Sequence, residues 1–175
     1  MTRAVLALGS NLGDRYGCLR AAVRSLDDVL LVVSGVYETP PWGDPAQPDY
    51  LNAVALVAES GAAPADWLDR CRSLERAAGR VRDPDRPYGP RSLDADVVAV
   101  WTDDDVPVFS DDPELVLPHP RARLRAFVLR PWIDVQPYGQ LPGHGWLTDL
   151  LNHDPVAGDL LELRPRPDLP LESTQ

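Results

Sequence analysis

Two hydrophobic periodicities alternate along this chain, and their order restricts its fold more than any other feature. Ala4 to Leu8 is an apolar run of strand length that stops at Gly9. After the turn Gly9 to Gly13, Asp14 can cap a helix whose apolar positions Leu19, Ala22, Val23 and Leu26 recur at helical spacing. Val29 to Tyr37 is rich in β-branched residues and reads as a second strand, and Leu51 to Val57 as a third. Pro64 suits the first turn of a second helix, with Trp67, Cys71, Leu74 and Ala78 as its apolar stripe and Gly79 near its end. Asp94 to Trp101 is a fourth strand.

The order β-α-β-β-α-β predicts an α+β fold. It corresponds to a ferredoxin-like sandwich, an antiparallel sheet with both main helices on one face, followed by C-terminal additions. A short helix is expected over Arg123 to Trp132, and the acidic stretch Asp103 to Glu114 reads as a surface excursion with a small strand near Val106 to Phe109. Residues 1–163 are expected to form one domain, and 164–175 a flexible tail with little to bury. At 175 residues with 44% apolar content the chain can bury a real core, which excludes a disulfide-stapled miniprotein. No apolar run is long enough to span a bilayer, so a soluble, cytoplasmic protein is expected; a monomer is expected separately. Cys18 and Cys71 lack partners at metal spacing and read as free thiols.

The charge is distributed unevenly. All 17 basic residues are Arg, Lys is absent, and 27 acids bring the formal net charge to −10. That total disfavours nucleic acid and anionic membranes as partners. Yet positions 80–91 hold four Arg and two Asp, positions 118–130 hold four Arg and no acid, and the remaining nine Arg and 25 acids net −16. Arginine is gathered where an anion would lie.

The sharpest constellation is Arg91-Ser92-Leu93-Asp94-Ala95-Asp96 running into Val97-Val98-Ala99-Val100. Asp94 and Asp96 project from one face of a strand with α-carbons about 6.5 Å apart. They read either as an acidic strand end facing water or as the oxygen ligands of a hard divalent cation such as Mg²⁺. Arg80, Arg82, Arg86 and Arg91 lead into the pair, and guanidinium forks match phosphate oxygens, so a metal-nucleotide site is the more economical reading. His119, held between two prolines, can donate to phosphate. A Pro-rich loop and the strand after it carry Thr39, Pro40, Trp42, Tyr50 and Asn52, ring faces and an amide suited to a flat heterocycle; Tyr88 and Phe127 can add rings. Glu75 can order the Arg loop by an ion pair or be a helix surface acid.

Five blocks resemble the 6-hydroxymethyl-7,8-dihydropterin pyrophosphokinase family. They are Ala7-Leu8-Gly9-Ser10-Asn11-Leu12-Gly13-Asp14; Tyr37-Glu38-Thr39-Pro40-Pro41 with Pro48-Asp49-Tyr50-Leu51-Asn52; Leu74-Glu75 through Gly79-Arg80-Val81-Arg82; Tyr88-Gly89-Pro90-Arg91-Ser92-Leu93-Asp94-Ala95-Asp96; and Leu117-Pro118-His119-Pro120-Arg121 through Arg125-Ala126-Phe127-Val128-Leu129. The resemblance implies a Mg-dependent enzyme of folate biosynthesis. It would transfer the terminal pyrophosphate of ATP to the hydroxymethyl oxygen of 6-hydroxymethyl-7,8-dihydropterin, releasing AMP. Carried onto this sequence, Asp94 and Asp96 would hold two Mg²⁺, and Arg80 and Arg91 would contact the transferring group. Arg82, Arg86, His119 and Arg125 would bind the triphosphate. Tyr50 and Phe127 would sandwich the pterin, with Thr39, Pro40, Trp42 and Asn52 along its edge, and Glu75 and Tyr88 in support. Two other readings compete on the Asp pair alone: a glycosyltransferase with a strand-end Asp-x-Asp, and a non-catalytic nucleotide-binding module.

Overall fold

The computed structural model describes residues 1–80, 84–85 and 91–172. Among these, a six-stranded antiparallel sheet forms from β1 (Thr2–Ser10), β2 (Leu30–Val33), β3 (Tyr37–Thr39), β4 (Tyr50–Glu59), β5 (Asp94–Trp101) and β10 (Arg164–Pro165). The path runs β10-β3-β4-β1-β5, and β2 pairs with the far half of β4. The helices α1 (Arg15–Arg24) and α2 (Pro64–Ala77) connect β1 to β2 and β4 to β5.

Both faces of the sheet are covered, which is why β1 and β4 are buried almost without interruption instead of alternating. Leu6, Leu8, Ala55 and Val57 pack with Leu19 and Val23 of α1 and Trp67 and Cys71 of α2. On the opposite face, Val5, Val54, Val98 and Ala99 pack against α3 (Ala126–Val135), chiefly Val128, Leu129 and Trp132, and against Leu147 of α4 (Leu147–Leu150) and Val156 of α5 (Val156–Asp159). The C-terminal additions therefore build a third layer.

Several expectations shift in detail. The single strand expected over 29–37 is broken at Ser34, whose N–H donates to the Val54 carbonyl at 2.9 Å and whose hydroxyl accepts from the Val54 N–H at 2.9 Å. A side-chain acceptor replaces a ladder carbonyl there, and β2 and β3 become separate strands. The short helix expected over 123–132 is a 3-10 turn at Ala122–Leu124 followed by α3. The acidic excursion carries a hairpin of β6 (Ser110–Asp112) and β7 (Leu115–Leu117), later than the strand expected near 106–109. A second small hairpin joins β8 (Gln140–Leu141) to β9 (Gly145–Trp146).

The largest difference is at the C-terminus. Residues 164–172 were expected to have little to bury. Instead Arg164 and Pro165 extend the sheet beside Glu38 and Tyr37, the Arg166 N–H donates to the Val36 carbonyl at 2.8 Å, and Leu171 is 8% exposed in the main core. A polar tail with only a few apolar residues carries no periodicity, so the sequence gives no sign of this pairing. Cys18 and Cys71 are both free, as expected. No helix among the described residues is long and apolar enough to cross a membrane.

Candidate active site

The antiparallel register places the site. Gly9, at the end of β1, lies opposite Asn52 of β4 on one side and Asp94 of β5 on the other, and Ala7 lies opposite Asp96. Three strands thus deliver an amide, a glycine and two carboxylates side by side. The glycine keeps this approach close: a Cβ on Gly9 would stand 3.3 Å from the Asn52 Oδ1 and 3.3 Å from the Tyr50 ring, so those side chains would have to shift.

Around the carboxylates lies a dense set of cations. Asp94 receives Arg80 at 2.8 Å and Arg91 at 2.8 Å. Arg80 also pairs with Glu75, and both side chains are 10% exposed. The geometry follows from how α2 ends. Gly79 takes a left-handed φ of 70°, and the Arg80 N–H reaches back to the Glu75 carbonyl at 3.1 Å, so the chain reverses and lays Arg80 against Glu75. The Glu75 carboxylate accepts in addition from the Ala95 N–H of β5 at 3.1 Å. Of the two sequence readings, Glu75 is the one that orders Arg80, and it is no surface acid.

Asp96 faces Arg125 at 3.3 Å and His119 Nε2 at 3.6 Å. Burial and the neighbouring Asp94 charge push its carboxyl up to about 6 although Arg125 opposes the rise. Burial, then the charges of Arg125 and Arg121, push His119 down to about 4. The imidazole is therefore neutral near pH 7. Its Nδ1 accepts from the Arg121 N–H at 3.2 Å, which assigns the proton to Nε2, the atom facing Asp96.

The other side of the pocket is aromatic. Asn52 donates to the Thr39 hydroxyl at 2.9 Å and the Tyr37 carbonyl at 3.3 Å, leaving its Oδ1 over Gly9. The Arg125 guanidinium stands 5.2 Å from the Trp42 ring centre and 5.5 Å from that of Phe127, and Arg121 stands 6.0 Å from Trp42. Burial raises the Tyr50 phenol above its ordinary value. One guanidinium, Arg125, therefore joins the ring-lined side to the carboxylate side.

One cavity of about 460 Å³ collects most of the expected residues: Thr39, Pro40, Trp42, Tyr50, Asn52 and Phe127 with Glu75, Arg80, Arg91, Asp94, Asp96, His119 and Arg125. That volume suits a small-molecule site. Arg82, Arg86 and Tyr88 lie outside the described residues. Sequence reasoning did not single out Arg72 and Glu114, which pair at 3.0 Å at the cavity's edge, because neither carries a local motif. Asp14 caps α1 as expected, and Asn11 just before it ties loops together. The Asn11 amide donates to the Gln47 Oε1 at 2.8 Å and the Pro48 carbonyl at 3.1 Å, while its oxygen accepts from the Arg91 N–H at 2.8 Å.

No group of three or more His, Cys, Asp or Glu is gathered for a metal among the described residues. Two carboxylates nonetheless fit Mg²⁺, which retains water and takes phosphate oxygens in place of a full protein cage. Burial first, and the Asp94 charge second, raise the Asp96 carboxyl.

The family model for 7,8-dihydro-6-hydroxymethylpterin-pyrophosphokinase (HPPK) matches residues 5–137. A 2-amino-4-hydroxy-6-hydroxymethyldihydropteridine pyrophosphokinase of Mycobacterium tuberculosis is 45% identical over 169 residues, covering 94% of this chain and 86% of that protein. The protein of the same name from Methylorubrum extorquens is 43% identical, covering 93% of this chain and 100% of its own. Among solved structures, an HPPK-DHPS in complex with substrates superposes with a TM-score of 0.62 at 11% identity, a likeness of fold. It covers 86% of this chain and 43% of that longer one.

Proposed function

This chain belongs to the 7,8-dihydro-6-hydroxymethylpterin-pyrophosphokinase family, and we propose from that premise that it transfers pyrophosphate from ATP to 6-hydroxymethyl-7,8-dihydropterin, releasing AMP, in folate biosynthesis. The single observation that carries this reading for the site is the continuity of one cavity. It joins a carboxylate pair ringed by arginines to a pocket of ring faces with a buried amide. The arginines and carboxylates suit a metal-bound triphosphate, and the ring faces with the buried amide suit a flat heterocycle.

The pterin lies on the side of Tyr50, Phe127, Trp42 and Asn52, its ring stacked and its edge read by the amide and by the backbone near Thr39 and Pro40. The triphosphate lies over Arg80, Arg91, Arg125 and His119; Arg82 and Arg86, expected to share this role, lie outside the described residues. Each guanidinium carries five N–H donors, so Arg80 and Arg91 can hold Asp94 and still face phosphate oxygens. Asp94 and Asp96 would hold Mg²⁺, which when bound neutralises phosphate charge as the bridging bond breaks. The pterin hydroxymethyl oxygen attacks the β-phosphorus, and AMP leaves. The protein's part is positional and electrostatic: fixed arginine donors oppose the developing charge, and the neutral His119 presents one Nε2–H without adding charge. The sheet supports a ferredoxin-like description, since the antiparallel path β5-β1-β4-β2 has a main helix after its first and third core strands.

Incubation with ATP, Mg²⁺ and the hydroxymethyl dihydropterin, with nucleotides resolved, tests this. Pterin-dependent AMP is expected. ADP, or AMP formed equally without pterin, would refute it. A glycosyltransferase or a nucleotide-binding regulator would give neither product in a pterin-dependent way.

A further inference from the structure

The loop 40–49 carries Pro40 and Trp42 and is flanked by Thr39 and Tyr50, all lining the cavity. Its ends are fastened by side chains from elsewhere in the sequence. The Arg164 guanidinium reaches Glu38 at 3.0 Å and Asp49 at 2.8 Å, bridging the residues on either side of the loop. Arg15, from α1, repeats the bridge with the Glu38 carboxylate at 2.8 Å and the Asp49 carbonyl at 3.0 Å. Arg166 adds a third cation to Glu38 at 3.2 Å. The Glu38 carboxylate is only 14% exposed, so without these guanidiniums it would be a nearly buried, uncompensated charge.

Arg164 is itself held in place. Its residue pairs with Glu38 in the sheet, the Arg166 N–H follows onto Val36, and Leu169 and Leu171 pack into the core with the Tyr16 hydroxyl donating to the Pro170 carbonyl. A segment whose backbone is fixed at several points thus presents a guanidinium across the mouth of the loop.

We propose that Arg164 is a positioning residue for the heterocycle side of the cavity. By tying Glu38 to Asp49 it sets the separation of the loop's ends, and with it how Thr39, Trp42 and Tyr50 are presented. The C-terminal segment is then a working part of the pocket. This rests on the reading of that side as the pterin side.

The test uses the full chain with Arg164→Ala, Asp49→Asn and the double substitution. For an ion pair at this exposure, Arg164→Ala is expected to raise the pterin KM about threefold, leaving kcat and the ATP KM unchanged. Asp49→Asn removes only the Arg164–Asp49 pair and should raise the pterin KM by no more than Arg164→Ala, and the double variant should be no worse than Arg164→Ala, which already lacks that pair. Amide exchange of the peptide spanning 39–50 should quicken in Arg164→Ala while that of β1 does not. An unchanged pterin KM, a parallel rise in the ATP KM, or additive single effects would overturn the clamp. Should the wild type make no pterin-dependent AMP, the functional reading falls by itself. The exchange comparison then decides the clamp, and unaltered exchange over 39–50 would overturn it.

Discussion

Replacing Glu75 by Ala and by Gln separates two contributions that the structure assigns to one carboxylate. In the alanine variant Arg80, whose side chain is 10% exposed, loses one of its two carboxylate partners among the described residues, and the Ala95 N–H loses the acceptor it reaches at 3.1 Å. Breaking a buried pair by removing one partner costs about 3–5 kcal/mol, and the low end applies here because Asp94 still holds Arg80 at 2.8 Å. An orphaned buried N–H adds about 1–3 kcal/mol. Allowing for incomplete additivity and relaxation, Glu75→Ala should lose about 3–5 kcal/mol. Glu75→Gln keeps an oxygen for the Ala95 N–H and loses only the charge, which should cost about 1–3 kcal/mol. Urea unfolding of the three proteins measures both differences directly. A Glu75→Ala effect within about 0.5 kcal/mol of zero, as for an ordinary surface change, would refute the assignment. So would equal losses in the two variants, since the N–H acceptor would then contribute nothing.

Other consequences are sharper in kind than in size. The Tyr37 phenol is pushed up to about 12 by burial and by its hydrogen bond to Asp134, so the difference in phenolate absorbance between the wild type and Tyr37→Phe should rise near pH 12. Because the unfolded chain loses that proton first, at about 10, Tyr37's contribution to stability should fall as pH climbs from 10 to 12; a difference curve centred at 10 would contradict the burial argument. Gly9→Ala should fold normally yet bind pterin more weakly, because the new methyl meets Asn52 and the Tyr50 ring at 3.3 Å; unchanged pterin affinity would show that those side chains move aside freely.

Much of this site was readable because its residues fall on regular elements. Asp94 and Asp96 share a face of β5 by strand alternation alone, and the register then sets them beside Gly9 and Ala7. The helix α2 announces itself through Trp67, Cys71 and Leu74, and its glycine stop turns Arg80 back toward Glu75. What sequence could not supply was long-range partnership. Glu75 occupies one edge of an amphipathic stripe, where a surface acid and a buried one look alike until the arginine arrives. Asn11 sits in a turn before α1 with nothing local to mark its role, and only folding brings Gln47 and Arg91 to its amide. Arg164 lies in a segment with almost no apolar pattern. Its binding to Glu38, 126 residues away, depends on sheet pairing that no local periodicity records.

Asp96→Ala tests most directly whether Asp96 serves the transfer of pyrophosphate or the holding of the pterin, when turnover and pterin affinity are measured side by side. Removal of a group that organises transition-state charge is expected to lower kcat by about a thousandfold while pterin affinity stays close to that of the wild type. Equal losses of turnover and pterin affinity would contradict the account and make Asp96 a structural residue of the pocket.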